Sequence, residues 1–151
     1  MKFTLVTARE RALELASALD RAAEDAMREF RDAPLPAAVG RRLVERSFGA
    51  PESLLLLAEE EEGPFAGLLA TAPFEDPLTG ELVPMIVLCY VEPAFRHRGL
   101  ARALVFEALR LLARRGLARV AARAGHNDDA LISMGERFGF VRHWELLLYE
   151  A

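Results

Sequence analysis

The pattern of apolar and polar positions is clearest in the middle of the chain. An unbroken apolar run at 85–91 predicts a buried strand over 82–92. Both alternating sets of side chains in this run are apolar, so we expect both faces of the strand to be covered. The alternation places Val87, Cys89 and Val91 on one of these faces.

The same patterning predicts the remaining elements. Apolar residues at helical spacing indicate a long first helix, with Thr7 as its N-cap in a capping box and an end near Phe30. A strand, helix, strand order after residue 82 predicts a right-handed crossover and a parallel strand pair. The fold class is therefore α+β with a mixed sheet. The predicted strands cover 2–6, 53–59, 65–71, 82–92, 117–123 and 140–150, and the helices cover 8–30, 37–48, 100–115 and 127–138.

The turn between the central strand and the helix at 100–115 suits an anion. Backbone N–H groups at a helix start are unpaired, and the helix dipole makes the place positive. Gly99 removes a side chain where a ligand must come closest. A phosphate can bind there without a metal or a lysine. The alternative is an ordinary strand-to-helix turn whose arginines are only solvated.

The residues of this turn resemble a known motif. Arg96, Gly99 and Ala101 form an Arg-x-x-Gly-x-Ala run, preceded by Val-x-Pro at Val91 and Pro93. The run resembles the pyrophosphate loop of the GNAT family (GCN5-related N-acetyltransferases). The resemblance implies acetyl-CoA as the acyl donor, no metal, and an acyl-CoA acyltransferase fold of six or seven strands with about four helices.

The resemblance covers nearly the whole chain and implies one acetyltransferase domain over 1–151. It places the backbone N–H of Cys89 at the acyl oxygen and Val91 beside the pantetheine arm, although plain ladder hydrogen bonding explains both residues equally well. Asn127 corresponds to an asparagine that touches this arm in the family, or it is an N-cap. The diphosphate would lie against Arg96, His97, Arg98, Gly99, Leu100, Ala101 and Arg102.

The resemblance leaves the general acid and base unassigned. The family's tyrosine in the last helix is missing from 133–136, and its glutamate on the central strand is replaced by Val87. A water or loop group could serve instead, or proximity alone could supply most of the rate. The candidate side chains are Glu75, Glu81, His126 and Tyr149. Two functions follow: an N-acetyltransferase that moves acetyl directly to a primary amine, and a non-catalytic acyl-CoA sensor or interaction module.

The amino-acid composition argues against several classes of binding partner and of chemistry. The net charge is −4 with no basic tract, which argues against bulk nucleic-acid binding. No apolar run is long enough for a membrane span, so we expect a cytoplasmic protein that does not bind membranes. Cys89 is the only cysteine and Lys2 the only lysine, which excludes an internal disulfide and a Schiff-base lysine.

The acceptor is expected to be a small-molecule or peptide amine. Arg41, Arg42 and Arg46 could hold an acidic group of it, although arginines on a solvated helix face are commoner. Only eleven residues follow Phe140, where the family has two strands. The sheet is therefore one strand short, or a second copy of the chain completes it in a homodimer.

Overall fold

The structure, a computed structural model, describes residues 1–28, 34–125, 128–143 and 149. Its centre is a five-stranded mixed sheet in which spatial order follows chain order. The first four strands pair antiparallel with their neighbours, and the fifth pairs parallel with the fourth. The strands are β1 (Lys2–Leu5), β2 (Leu54–Glu59), β3 (Phe65–Glu75), β4 (Leu82–Val91) and β5 (Ala121–Ala122).

Helices cover both faces of the sheet, which confirms the α+β class. The helices are α1 (Arg9–Glu14), α2 (Ala16–Met27), α3 (Val39–Ser47), α4 (Leu100–Arg114) and α5 (Asp129–Arg137). The first three pack on one face and the last two on the other. None of the helices within the described ranges combines the length and apolar character needed to cross a membrane.

Strand β2 shows how alternation builds the two cores. Leu55 and Leu57 pack toward the α1–α3 layer, whereas Leu54 and Leu56 pack toward α4, and all four are buried. This agrees with a strand whose side chains alternate between two covered faces.

The predicted first helix is interrupted. Leu15 leaves helical geometry at φ −85° and ψ 2°, and its N–H donates to Ala12 O three residues back, which closes α1 with a tight turn. The helix also begins later than predicted. Its N-cap is Ala8, which has no capping side chain, so the expectation that Thr7 caps the helix was wrong.

The part of the chain that the structure describes holds five strands, against the six or seven expected. The strand predicted at 140–150 falls largely on residues 144–148 and 150, which lie outside the described residues. The strand predicted at 117–123 is reduced to the two residues of β5, although its parallel pairing with β4 is confirmed.

A one-residue bulge interrupts β4. Ala70 pairs with Leu88 but Thr71 pairs with Ile86, so Val87 has no counterpart on β3. Val87 and Leu88 consequently both pack toward the α1–α3 layer. The prediction that Val87 shares a face with Cys89 and Val91 was wrong, since those two pack toward α4. An extra residue shifts the alternation of every residue beyond it.

Candidate functional site

Beyond the bulge, every second residue of β4 directs its backbone N–H and C=O groups away from β3. Glu92, which directly follows the strand, donates its N–H to Ala66 O at 2.9 Å and therefore belongs to a hydrogen-bonded pair. Opposite residues in an antiparallel ladder alternate between hydrogen-bonded and non-bonded pairs. Tyr90 thus bonds to β3, whereas Cys89 and Val91 direct their N–H and C=O groups to the opposite side.

On that opposite side β5 accompanies only the beginning of β4. It pairs with Met85 and Ile86, and its final contact is a 3.5 Å hydrogen bond from Arg123 N–H to Ile86 O. Among the described residues, no strand pairs with 87–91 on this side. Because a bulge bends a strand and increases its twist, the two strands diverge where the bulge lies. We call the resulting gap the notch.

The wall of the notch carries backbone groups that have no partner within the described ranges. Val91 O accepts a 2.8 Å hydrogen bond from Arg96 Nε, which occupies that carbonyl. The N–H and C=O of Cys89 and the N–H of Val91 remain directed into the notch. An unpaired strand edge of this kind can pair with an extended ligand as if with another strand.

The loop at the end of β4 leads directly into α4. A short 3₁₀ turn at Pro93–Phe95 is followed by left-handed backbone at His97 (φ 60°) and at Gly99 (φ 77°), the N-cap of α4. The first intrahelical hydrogen bond runs from Ala103 N–H to Gly99 O at 3.0 Å. The N–H groups of residues 100–102 precede this bond and have no carbonyl partner in the helix.

Gly99 is required for its conformation. A side chain there would be strained by the positive φ, yet an added Cβ would meet no atom within 4 Å. The described residues therefore leave the space in front of the helix start open.

The open space is electropositive. The side chains of His97, Arg98 and Arg102 are exposed and form no hydrogen bond or ion pair with any other residue that the structure describes. The positive end of the α4 dipole adds to the charge of the two arginines. Free N–H groups, a helix dipole and unpaired guanidinium groups together favour a phosphate at this place.

Arg96 has a different position from the other arginines of the loop. Besides Val91 O, its guanidinium contacts Asp25 Oδ2 of α2 at 3.2 Å and lies 5.8 Å from the centre of the Tyr90 ring. Its own N–H donates to Pro93 O at 3.3 Å. These contacts let Arg96 hold the loop against β4 and α2, and the role that the sequence predicts for it at the diphosphate stays a prediction.

A second ion pair joins the same elements one helical turn away. Arg21 lies 3.5 Å from Glu92, which also accepts a 3.2 Å hydrogen bond from the Tyr90 hydroxyl. Arg21 and Asp25 are four residues apart and share a face of α2. Sequence reasoning missed these residues because their partners lie far away along the chain, 71 positions for Asp25 and Arg96.

Cys89 offers its backbone to the notch and not its thiol. Its side chain packs toward α4, and burial raises the pKa of the thiol to about 12. The thiol is therefore protonated at neutral pH and is a poor nucleophile.

The candidate acids and bases lie elsewhere or outside the described residues. Glu75 pairs with Leu82 at the start of β4, about 20 Å from Cys89 at roughly 3.3 Å per residue. Glu81 is ion-paired with Arg119 in the same hairpin region. These positions rule out Glu75 and Glu81 as groups acting at Cys89. Tyr149 is 90% exposed, and His126 and Asn127 fall outside the described residues.

Comparison with known proteins identifies the family of this chain. The model of the acetyltransferase (GNAT) family matches residues 19–140. No curated protein sequence gives a significant match.

Solved structures show the same fold at low sequence identity. A ribosomal-protein-alanine N-acetyltransferase from Brucella melitensis biovar Abortus 2308 has a TM-score of 0.65 at 17% identity, over 100% of both chains. An aminoglycoside acetyltransferase from an uncultured soil metagenomic sample, in complex with sisomicin, has 0.69 at 15%, over 99% of this chain and 94% of its own. Aminoglycoside N-acetyltransferase AAC(6′)-Iy in complex with CoA has 0.66 at 17%, over 99% and 98%.

Proposed function

Because the chain belongs to the GNAT family of acetyltransferases, we propose that it transfers the acetyl group of acetyl-CoA directly to a primary amine, within a single domain over 1–151. The family makes it an acyltransferase. The observation that carries the donor assignment is the notch, whose free amides on β4 lie next to the open, positively charged start of α4.

The diphosphate of the donor is proposed to bind the N–H groups of residues 100–102, with Arg98 and Arg102 supplying positive charge. Binding of this kind needs neither a metal nor a lysine. The pantetheine arm then extends along the open edge of β4 and pairs with Cys89 and Val91. Asn127 is proposed to contact the same arm.

In the proposed reaction, the amine nitrogen attacks the thioester carbonyl carbon and the carbon–sulfur bond breaks. The amine loses a proton, and the sulfur of CoA leaves and gains one. The Cys89 N–H donates a hydrogen bond to the carbonyl oxygen as negative charge develops on it, an effect worth about 100- to 1000-fold in rate. Because the Cys89 thiol stays protonated, direct transfer is favoured over an acyl-enzyme.

The protein supplies position more than proton transfer in this scheme. An alkylamine has a pKa near ~10, so only a small fraction is unprotonated at neutral pH. We expect kcat/KM to rise about tenfold per pH unit below the acceptor pKa, because the reactive fraction grows in that way.

The test is acetyl-CoA turnover over a broad panel of amines. The panel includes aminoglycosides and alanine-containing peptides, chosen after the names of the structural neighbours. Release of free CoA above the rate without protein supports the enzyme. Calorimetry with CoA is run in parallel. Saturable CoA binding without turnover on any acceptor would favour the sensor, and absence of CoA binding to folded protein would refute the donor site.

A further inference from the structure

A second site lies between α3 and β3. The helix lies over Ala72 and Pro73 and borders with them an open cavity of about 480 Å³. Small-molecule sites are commonly about 300–1,000 Å³ in size. Val39 and Leu43 give the cavity apolar walls, so it can hold the body of a small organic molecule.

The wall formed by α3 is firmly placed. Gly40 N–H donates to Asp20 Oδ1 of α2 at 2.7 Å, and an added Cβ at Gly40 would lie only 2.4 Å from Ala16 O. The two helices therefore touch backbone to side chain, and α3 has little room to shift. The cavity is preformed, which lowers the cost of ligand binding.

The charges along α3 differ between its two sides. Arg41 is neutralised by Glu45 one turn further on, with Nε 2.7 Å from the carboxylate. Arg42 and Arg46, also one turn apart, both line the cavity, and no carboxylate of the described residues lines it with them. The Arg46 side chain makes no hydrogen bond or ion pair within the described ranges, and the Arg42 side chain gives one donor to Ala37 O.

Two like charges at this spacing repel each other along a helix. An oxyanion between them would relieve that repulsion and accept the paired donors that a guanidinium presents. Resting on the proposed function, we infer that the cavity binds the acceptor, and that the acceptor is an amine which also carries an oxyanion, a carboxylate or a phosphate, on an apolar body.

The position of the cavity agrees with this role. Ala72 pairs with Met85 of β4, four residues before Cys89, so the cavity lies about 13 Å along the strand from that amide at roughly 3.3 Å per residue. An elongated acceptor can place its oxyanion at Arg42 and Arg46 and extend its amine toward the notch.

The first experiment measures binding alone, so it does not depend on turnover. Octanoate, octyl phosphate and octanamide are titrated by calorimetry into the wild-type chain and the double variant Arg42→Gln, Arg46→Gln. We expect at least one anion to bind the wild type ten times more tightly than octanamide, and the double variant to lose this preference. Arg41→Gln is the matched control and should bind like the wild type.

Comparison of octanoate with octyl phosphate distinguishes a carboxylate from a phosphate, since the anion that binds more tightly identifies the preferred group. Equal binding of the anions by wild type and double variant, or no binding of either anion to wild type, would overturn the inference. The same would follow if Arg41→Gln lost as much affinity as the double variant.

The second experiment compares acetylation of 8-aminooctanoate and 8-aminooctanamide by CoA release. We expect kcat/KM to favour the acid about tenfold, and this preference to disappear in the double variant while its affinity for CoA stays unchanged. Equal turnover of the acid and the amide would refute the inference of an anionic acceptor and leave the acetyltransferase assignment intact. Anion binding without turnover on either amine, while another amine of the panel is acetylated, would overturn the acceptor role of the cavity and leave the acetyltransferase intact.

Discussion

The two halves of β4 contain similar residues but have different surroundings. Before the bulge, Met85 and Ile86 have strands on both sides. Beyond it, Cys89 and Val91 are paired with β3 residues on one side, and their own polar groups face the notch. The difference shows that the site is made by backbone geometry. Side chains on the strand build the two cores, and the free amides between them remain for a ligand.

The largest effect should come from a pair of proline substitutions on β4, one where the backbone N–H faces β3 and one where it faces the notch. Leu88→Pro removes a donor to β3 and a buried leucine side chain, for a combined loss of about 5 kcal/mol of unfolding free energy, so we expect no folded protein. Cys89→Pro removes an N–H that faces the notch, and proline is tolerated there. We expect a folded protein with about 100- to 1000-fold slower acetyl transfer.

Circular dichroism, urea unfolding and CoA release measure the proline pair. Cys89→Ala keeps the backbone donor and should retain activity. Equal destabilisation by the two prolines would show that Cys89 is bonded within the sheet and that the open edge does not exist.

The next largest effect is a pH dependence of stability, which tests whether the open half of β4 exposes its backbone but not the Cys89 thiol. Burial raises the pKa of the Cys89 thiol from 9.0 to about 12. Above pH 9 the unfolded chain loses this proton while the folded chain keeps it, so stability falls as the pH rises from 9 to about 12. The full loss is on the order of 4 kcal/mol, at about 1.36 kcal/mol per pKa unit.

Urea unfolding of wild type and Cys89→Ala across this pH range isolates the cysteine contribution, because the variant lacks the thiol. Rapid alkylation of Cys89 in folded protein at pH 8 would contradict the assignment of a partly buried thiol with a raised pKa.

A smaller effect tests how closely β3 must approach the open half. Gly67 pairs with Val91, and an added Cβ would lie 2.5 Å from Tyr90 O. Gly67→Ala should lower the unfolding free energy by about 1–3 kcal/mol, since two strands would have to separate. Gly135→Ala is the control, because its Cβ would meet Phe140 at an ordinary 3.7 Å. In a helix that change stabilises by up to about 1 kcal/mol.

The smallest change in stability should come from the glycines at the two ends of α4. Gly99 and Gly116 have φ values of 77° and 79°, and neither has an atom near its missing Cβ. Gly99→Val and Gly116→Val should each cost about 1–2 kcal/mol in backbone strain. Only Gly99→Val should weaken CoA binding, by tenfold or more in calorimetry, because only that side chain enters the proposed diphosphate space. Equal CoA affinities in the two variants would refute the loop assignment.

Sequence predicted the frame of the site well. The expected bounds of 82–92 and 100–115 for the central strand and helix compare with Leu82–Val91 and Leu100–Arg114. A long apolar run and a regular amphipathic stripe are strong local signals. Gly99 could also be identified, since a glycine at a strand-to-helix turn suggests a left-handed residue.

The bulge could not be predicted, because Val87 lies inside a run of seven apolar residues that gives no local sign of an extra position. The role of Arg96 was hidden for another reason. Its partner Asp25 is brought close only by the packing of α2 on the sheet. The spacing of Arg42 and Arg46 was readable from the sequence, but the cavity between them depends on where α3 settles over β3.

The unmatched position of Val87 has a consequence for how this strand could evolve. All residues of β4 from Leu82 to Val91 except Val87 have a pairing partner on β3. Loss of the Val87 codon would therefore leave the remaining pairs in register. Without the bend, the neighbouring parallel strand could follow β4 further and close the gap. Loss of the single Val87 codon is therefore a genetic route from this enzyme to an inert relative that keeps every strand pair of β3 and β4.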